Sequence, residues 1–171
     1  MKIAVYAGTF DPITNGHMDI AVRASCLFDQ IIIAVARDNN KNTLFNIEER
    51  CALVEEAIKG QKNIIVEAFE GLLVDYCKAK GATSIIRGLR AISDFDMEFQ
   101  MALLNRGLNG GIDTVFLMSD AKYLFISSSL IRTSAELGGD IGDMAPQCVV
   151  DALRKKFKNK KQPHRTDILH K

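Results

Sequence analysis

Ile3-Ala4-Val5-Tyr6-Ala7 is an apolar, strand-like run that feeds straight into Gly8-Thr9-Phe10-Asp11-Pro12-Ile13-Thr14-Asn15-Gly16-His17, where helical periodicity begins. This order sets a glycine and a histidine at the carboxyl end of a parallel strand, the position at which open α/β sheets bind nucleotides. Gly16 at the helix entrance lets a phosphate approach free backbone N–H groups, and His17 in the first turn can donate a hydrogen bond to the same anion. The segment reads as a triphosphate seat.

Working outward, short runs rich in Ile and Val recur at residues 2–7, 30–36, 63–68, 83–86 and 114–118, separated by stretches of helical character. Such alternation predicts an α/β chain, a single-domain doubly wound five-stranded parallel sheet. Ile47, Cys51, Val54 and Ile58 fall on one helical face, and Asn46 with Glu49 has the spacing of a capping box. Phe95, Phe99, Ala102 and Leu103 repeat that pattern behind Ser93 and Asp96 and predict a second core-facing helix. Leu130, Ile131, Ala135 and Leu137 follow a run of three serines. A last helix with Val149, Val150, Leu153 and Phe157 on one side starts near Pro146, a residue suited to a first helical turn. The expected division is a domain over residues 1–157 and a mobile basic tail over 158–171.

The 171 residues are 47% apolar and 25% charged, ordinary for a globular protein. Net charge is +1, yet residues 154–171 carry eight Lys and Arg against Asp167, so the rest of the chain is net negative. A general polyanion binder is not expected, and neither nucleic acid nor membrane is an expected partner. The chain has no run of about 18 apolar residues and no charged leader followed by an apolar one, which points to a cytoplasmic protein. Cys26, Cys51, Cys77 and Cys148 lie far apart with no C-x-x-C pair and are expected to be reduced. Neither G-x-G-x-x-G nor G-x-x-x-x-G-K-[ST] occurs, which argues against the usual dinucleotide dehydrogenase and Walker-type loops. The histidines, His17, His164 and His170, lack the spacing of a helical zinc site, so no protein-built metal site is expected.

Gly8-Thr9-Phe10-Asp11-Pro12 with Thr14-Asn15-Gly16-His17, then Ile86-Arg87-Gly88-Leu89-Arg90 and Phe125-Ile126-Ser127-Ser128-Ser129, resembles the nucleotidylyltransferases with an H/T-x-G-H signature. The resemblance is strongest to the bacterial phosphopantetheine adenylyltransferases and runs from Lys2 to about Phe157. Thr14 stands where many relatives have a first histidine, as in the phosphopantetheine branch. Two departures are visible: Ala7 where many relatives have proline, and Asp120-Ala121-Lys122-Tyr123 in place of a segment that often carries glutamate and tryptophan.

What this resemblance implies is transfer of AMP from ATP to 4'-phosphopantetheine, giving dephospho-coenzyme A and pyrophosphate, with Mg2+ as helper and a homohexamer as the assembly. The attack would be direct and in line, so catalysis would consist of positioning and charge neutralisation. The implied catalytic residues are His17, Lys41 and Arg90. Thr9, Lys41, Leu73 and Arg87 would bind the acceptor. Thr9, Phe10, His17, Gly88, Leu89, Arg90 and Glu98 would meet ATP. So would the segment Tyr123, Leu124, Phe125, Ile126, Ser127, Ser128 and Ser129, with Arg132 one turn on. Independently of the resemblance, two arginines three apart around a glycine favour bidentate phosphate recognition. Three hydroxyls where one suffices as an N-cap leave spare donors beside free N–H groups. The alternatives are transfer to another phosphorylated acceptor such as nicotinate mononucleotide, a nucleotide-binding regulatory module without turnover, and a structural protein tethered to nucleic acid by its basic tail.

Overall fold

The computed structural model describes residues 1–37, 42–90 and 92–158. Lys41 and the tail beyond Lys158 therefore lie outside the described residues. Among those described, β1 (Ile3–Gly8), β2 (Gln30–Ala36), β3 (Ile64–Phe69), β4 (Ser84–Leu89) and β5 (Asp113–Met118) alternate with helices. The helices are α1 (Asn15–Ser25), α2 (Ile47–Ala57), α3 (Leu73–Ala79), α4 (Ile92–Leu108), α5 (Ser128–Glu136) and α6 (Gln147–Lys158), and a single 3-10 turn covers Ala121–Tyr123. The strands form one sheet in the order β3-β2-β1-β4-β5, with every neighbouring pair parallel. The chain is a single α/β domain, as its alternating pattern predicts.

Successive side chains of β1 go to opposite faces, as the pleat requires. Ala4 and Tyr6 join Ile31, Ile33 and Val35 in a core covered by α1, α2, α5 and α6, to which Ile20, Val54, Ile131 and Leu153 contribute. Val5 and Ala7 join Ile32, Ala34 and Ile85 on the other face, against Val74 and Cys77 of α3. Burial on both faces explains why β1 and β2 read as unbroken apolar runs. Asn46 caps α2 through the predicted box, its side chain accepting from the Glu49 N–H while Glu49 accepts from the Asn46 N–H.

The structure corrects two expectations. β4 runs three residues further than the apolar run 83–86, so Gly88 and Leu89, expected in the turn that follows the strand, are strand residues with Arg87. The α4 stripe of Phe95, Phe99 and Leu103 does not face the core: these residues are 42%, 46% and 55% exposed, and Met97, Met101, Leu104 and Leu108 are exposed with them. Helical periodicity reports an apolar face but not what covers it. Phe95 and Phe99 stack on each other with ring centres 5.7 Å apart.

Ile33 lies in β2 with no exposed surface. Ile33→Ala should lower the unfolding free energy by about 2–5 kcal/mol, the usual range for a buried truncation, as read by urea denaturation.

Candidate active site

The sheet order places β1 and β4 side by side while their following helices depart to opposite faces. The β1–β4 ladder holds at Ala4, Val5 and Tyr6, opposite Ser84, Ile85 and Ile86. Beyond it the Arg87 Nη1 donates to the Ala7 carbonyl at 3.0 Å. At this carboxyl edge lies a cleft of about 790 Å3.

One wall is the turn after β1. Phe10 has φ +46°, the left-handed region that costs a residue with a side chain roughly 1–2 kcal/mol. Its surroundings hold it there. The Phe10 ring meets Tyr6 edge-on at 5.5 Å and His17 at 5.1 Å between centres. Gly8 lies directly beneath that ring; a Cβ there would sit 3.0 Å from it. The buried Asp11 carboxylate accepts from the Leu44 N–H at 2.9 Å and the Phe45 N–H at 3.0 Å. It also accepts from Arg132 Nη1 at 3.0 Å, and the same nitrogen contacts the Asp11 carbonyl.

The next piece is the amino end of α1. Thr14 is its N-cap, Oγ1 accepting from the His17 N–H at 3.2 Å. In return the Thr14 N–H donates to His17 Nδ1 at 3.1 Å. Histidine takes the place that glutamate or glutamine holds in the usual capping box. An Nδ1 that accepts from a backbone N–H is unprotonated, so the neutral ring carries its proton on Nε2. Burial, with Arg90 and then Arg87 adding repulsion, lowers the His17 pKa from 6.5 to about 4. A Cβ on Gly16 would lie 3.4 Å from the Tyr123 Cβ, so glycine here lets the second nucleotide segment close against α1.

β4 and the residue that follows it supply two cations, Arg87 and Arg90. Arg87 binds Glu98 of α4 through both nitrogens, Nε to Oε2 at 2.7 Å and Nη2 to Oε1, and this pairing holds the guanidinium charge firmly, raising the Arg87 pKa. Arg90 pairs with Asp94 at 3.3 Å and donates to the Ile126 carbonyl at 3.1 Å. The serine run closes the ring. Ser127 caps α5 by accepting from the Leu130 N–H at 3.2 Å, Ser128 Oγ donates to the Pro12 carbonyl at 2.7 Å, and Ser129 lies on the cleft beside Arg132.

Most predicted site residues converge. Thr9, Phe10, His17, Arg87, Gly88, Arg90, Glu98, Tyr123, Ile126 and Ser127 to Ser129 line one cleft. Four predicted residues do not line it. Leu89 is buried in β4, Leu73 opens α3 and packs half-buried against the second core, and Leu124 and Phe125 are exposed outside it. Lys41 lies outside the described residues. Sequence reading assigned no role to Asp11, Asp94 or Arg50. An acidic residue in a turn and an arginine within a helix carry no local sign that they meet a carbonyl or an amide some 30 to 40 positions away.

Residues 5–134 match a cytidylyltransferase-like family model. A curated phosphopantetheine adenylyltransferase of Oleidesulfovibrio alaskensis is 53% identical over 156 residues, covering 91% of this chain and 92% of the relative. That of Alkaliphilus oremlandii is 53% identical over 157 residues, covering 92% of this chain and 100% of the relative. The chain belongs to the phosphopantetheine adenylyltransferase family. A solved bifunctional NMN adenylyltransferase/ADP ribose pyrophosphatase from Francisella tularensis superposes with a TM-score of 0.69 at 14% identity, covering 92% of this chain and 50% of that one, which supports the fold alone.

All three signature blocks of this adenylyltransferase fall within the family match, while α6 lies beyond it. Cleft carboxylates could in principle hold a metal ion, but each is already held by an arginine: Asp11 by Arg132, Asp94 by Arg90 and Glu98 by Arg87. Among the described residues no three His, Cys, Asp or Glu side chains are placed to hold one. These residues do not fit a resident metal centre.

The lowered His17 pKa has two consequences. The imidazole should titrate near pH 4, with no His17 transition near pH 6.5, as followed through its ring protons by NMR. Because the unfolded chain takes up this proton near pH 6.5 and the folded one only near pH 4, His17 should make stability fall as pH drops between those values. His17→Gln should flatten that part of the stability profile.

Proposed function

We propose that this protein transfers AMP from ATP to 4'-phosphopantetheine, releasing dephospho-coenzyme A and pyrophosphate. Near-full-length identity of about one half to curated phosphopantetheine adenylyltransferases carries this reading. The cleft suits it chemically, since it joins several cations, a neutral imidazole and a helix amino terminus at one sheet edge.

In the proposed reaction an oxygen of the acceptor phosphate bonds to the α-phosphorus of ATP as the bond to the β-phosphate oxygen breaks. A phosphate monoester is already ionised near neutral pH, so no general base is required. Bringing two anions together in a partly desolvated cleft is opposed by several kcal/mol at an intermediate dielectric, and Arg87 and Arg90 offset that repulsion. The Nε2–H of His17 donates to the α-phosphoryl oxygens as charge develops there. Thr9 orients the attacking phosphate, with Phe10 alongside. The amino end of α5, with Ser127 to Ser129, receives the β- and γ-phosphates, where free N–H groups and the helix dipole favour negative charge.

Gly88, Glu98, Tyr123 and Ile126, which line the cleft, complete the ATP side in this proposal, and Lys41 would add a further cation for the acceptor phosphate. Magnesium belongs to the substrate, chelated by the triphosphate oxygens, which is its usual mode with nucleotides. No described helix is long and apolar enough to cross a membrane, in keeping with a cytoplasmic enzyme. The exposed apolar face of α4 supports self-association, and a homohexamer is the proposed assembly.

Incubation with ATP, magnesium and 4'-phosphopantetheine should yield pyrophosphate and a product with the mass of dephospho-coenzyme A. Product formed with nicotinate mononucleotide and not with phosphopantetheine would reassign the acceptor, and ATP binding without product would leave a regulatory module. His17→Ala should lower kcat by about 10²-fold or more with little change in ATP affinity, as for other preorganised donors. Arg87→Ala should raise KM for phosphopantetheine more than KM for ATP in the same assay.

A further inference from the structure

Arg50 of α2 is 3% exposed, and no carboxylate lies within ion-pairing distance of it among the described residues. Among the described residues its guanidinium donates to three main-chain carbonyls from separate parts of the chain. Nη1 donates to Thr9 at 2.7 Å and to Ala36 at 2.9 Å, and Nε donates to Phe45 at 3.2 Å. Hydrogen bonds from a charged donor to buried acceptors are among the stronger ones a protein makes, and losing the donor would leave three carbonyls unsatisfied.

These acceptors are not scattered. The Thr9 carbonyl belongs to the peptide that leads into Phe10, the residue held at φ +46°. Phe45 is the residue whose N–H is bound by Asp11, on the far side of the same turn. Ala36 ends β2, beside β1 in the sheet. Arg50 therefore ties the turn after β1, the end of β2 and the start of α2 to one rigid planar group. A lysine could satisfy one or two of these carbonyls but not all three in the fork geometry of a guanidinium.

We propose that Arg50 is a positioning residue for the reaction, acting through the Thr9–Phe10 peptide without touching either substrate. It fixes the left-handed turn, so that the Thr9 hydroxyl and the Phe10 ring against His17 are set before substrate arrives. This inference rests on the adenylyl transfer proposed above for the kinetic half of its test.

The test uses Arg50→Gln and Arg50→Lys in the full chain, with wild type alongside. Turnover of ATP and 4'-phosphopantetheine gives kcat and KM, and NMR gives the ring-proton shifts of His17, which feel the ring current of Phe10. The His17 signals are assigned by their loss in His17→Ala. Arg50→Gln should lower kcat on the order of 10- to 100-fold, with KM for ATP changed less than about threefold, and should move the His17 resonances. Arg50→Lys should show a smaller change of the same kind, and it carries the test if Arg50→Gln does not fold. A merely structural role would lower the thermal midpoint and leave the His17 shifts and the kcat of the folded fraction unchanged. Unmoved His17 resonances in a folded variant overturn the inference whatever kcat does, and so does an unchanged kcat. If wild type makes no product, the proposed reaction fails, and the His17 resonances alone still decide whether Arg50 sets the turn.

Discussion

Two adjacent parallel strands whose following helices leave toward opposite faces cannot keep their carboxyl ends covered, and the rest of this molecule depends on that constraint. β1 and β4 meet it here, and the uncovered edge becomes the cleft. Because a strand end delivers a side chain without the freedom of a long loop, Arg87 arrives already aimed at the gap, bonded to the Ala7 carbonyl where the ladder stops. α1 and α5 then add two amino termini, each closed by a hydroxyl cap, Thr14 and Ser127. A charge-poor backbone is thus made attractive to anions by orientation alone.

Much of this was legible in the sequence, and the limits have physical causes. The βαβ alternation and the Gly8-to-His17 segment are local, so spacing and composition reveal them, as does the Asn46–Glu49 capping box. The arginines around Gly88 were legible as a pair, but not that β4 extends to Leu89, because Arg87 and Gly88 interrupt the apolar run that marks a strand. The Phe95–Phe99 stripe has the periodicity of a core helix and is exposed, since periodicity says that a face is apolar and not what it meets. The Asp11 carboxylate meets the Leu44 and Phe45 amides and Arg50 meets the Thr9 carbonyl, each some 30 to 40 positions away, and these partners are backbone atoms with no residue identity. No pattern in one sequence can register such contacts.

Electrostatically the site balances its cations before any substrate is present. Glu98 holds Arg87, Asp94 holds Arg90 and Asp11 holds Arg132. His17, lying near two of these arginines, stays neutral and offers a donor in place of a charge. The pairing keeps the guanidinium groups in fixed rotamers, which reduces the ordering needed when an anion enters. It also spares the empty cleft the mutual repulsion of bare cations.

α4 has a second meaning in this light. Its inward side bears Asp94 and Glu98, the carboxylates that anchor two arginines of the cleft, and its outward side bears the stacked Phe95 and Phe99. One rigid rod is thereby both a wall of the reaction chamber and the bearer of seven exposed apolar side chains. A neighbour seated on the outer side would act on the same rod that holds the guanidinium groups. Whatever free energy such docking gains from one arrangement of those groups must reappear, with equal size, as a change in how tightly the chamber grips its anions.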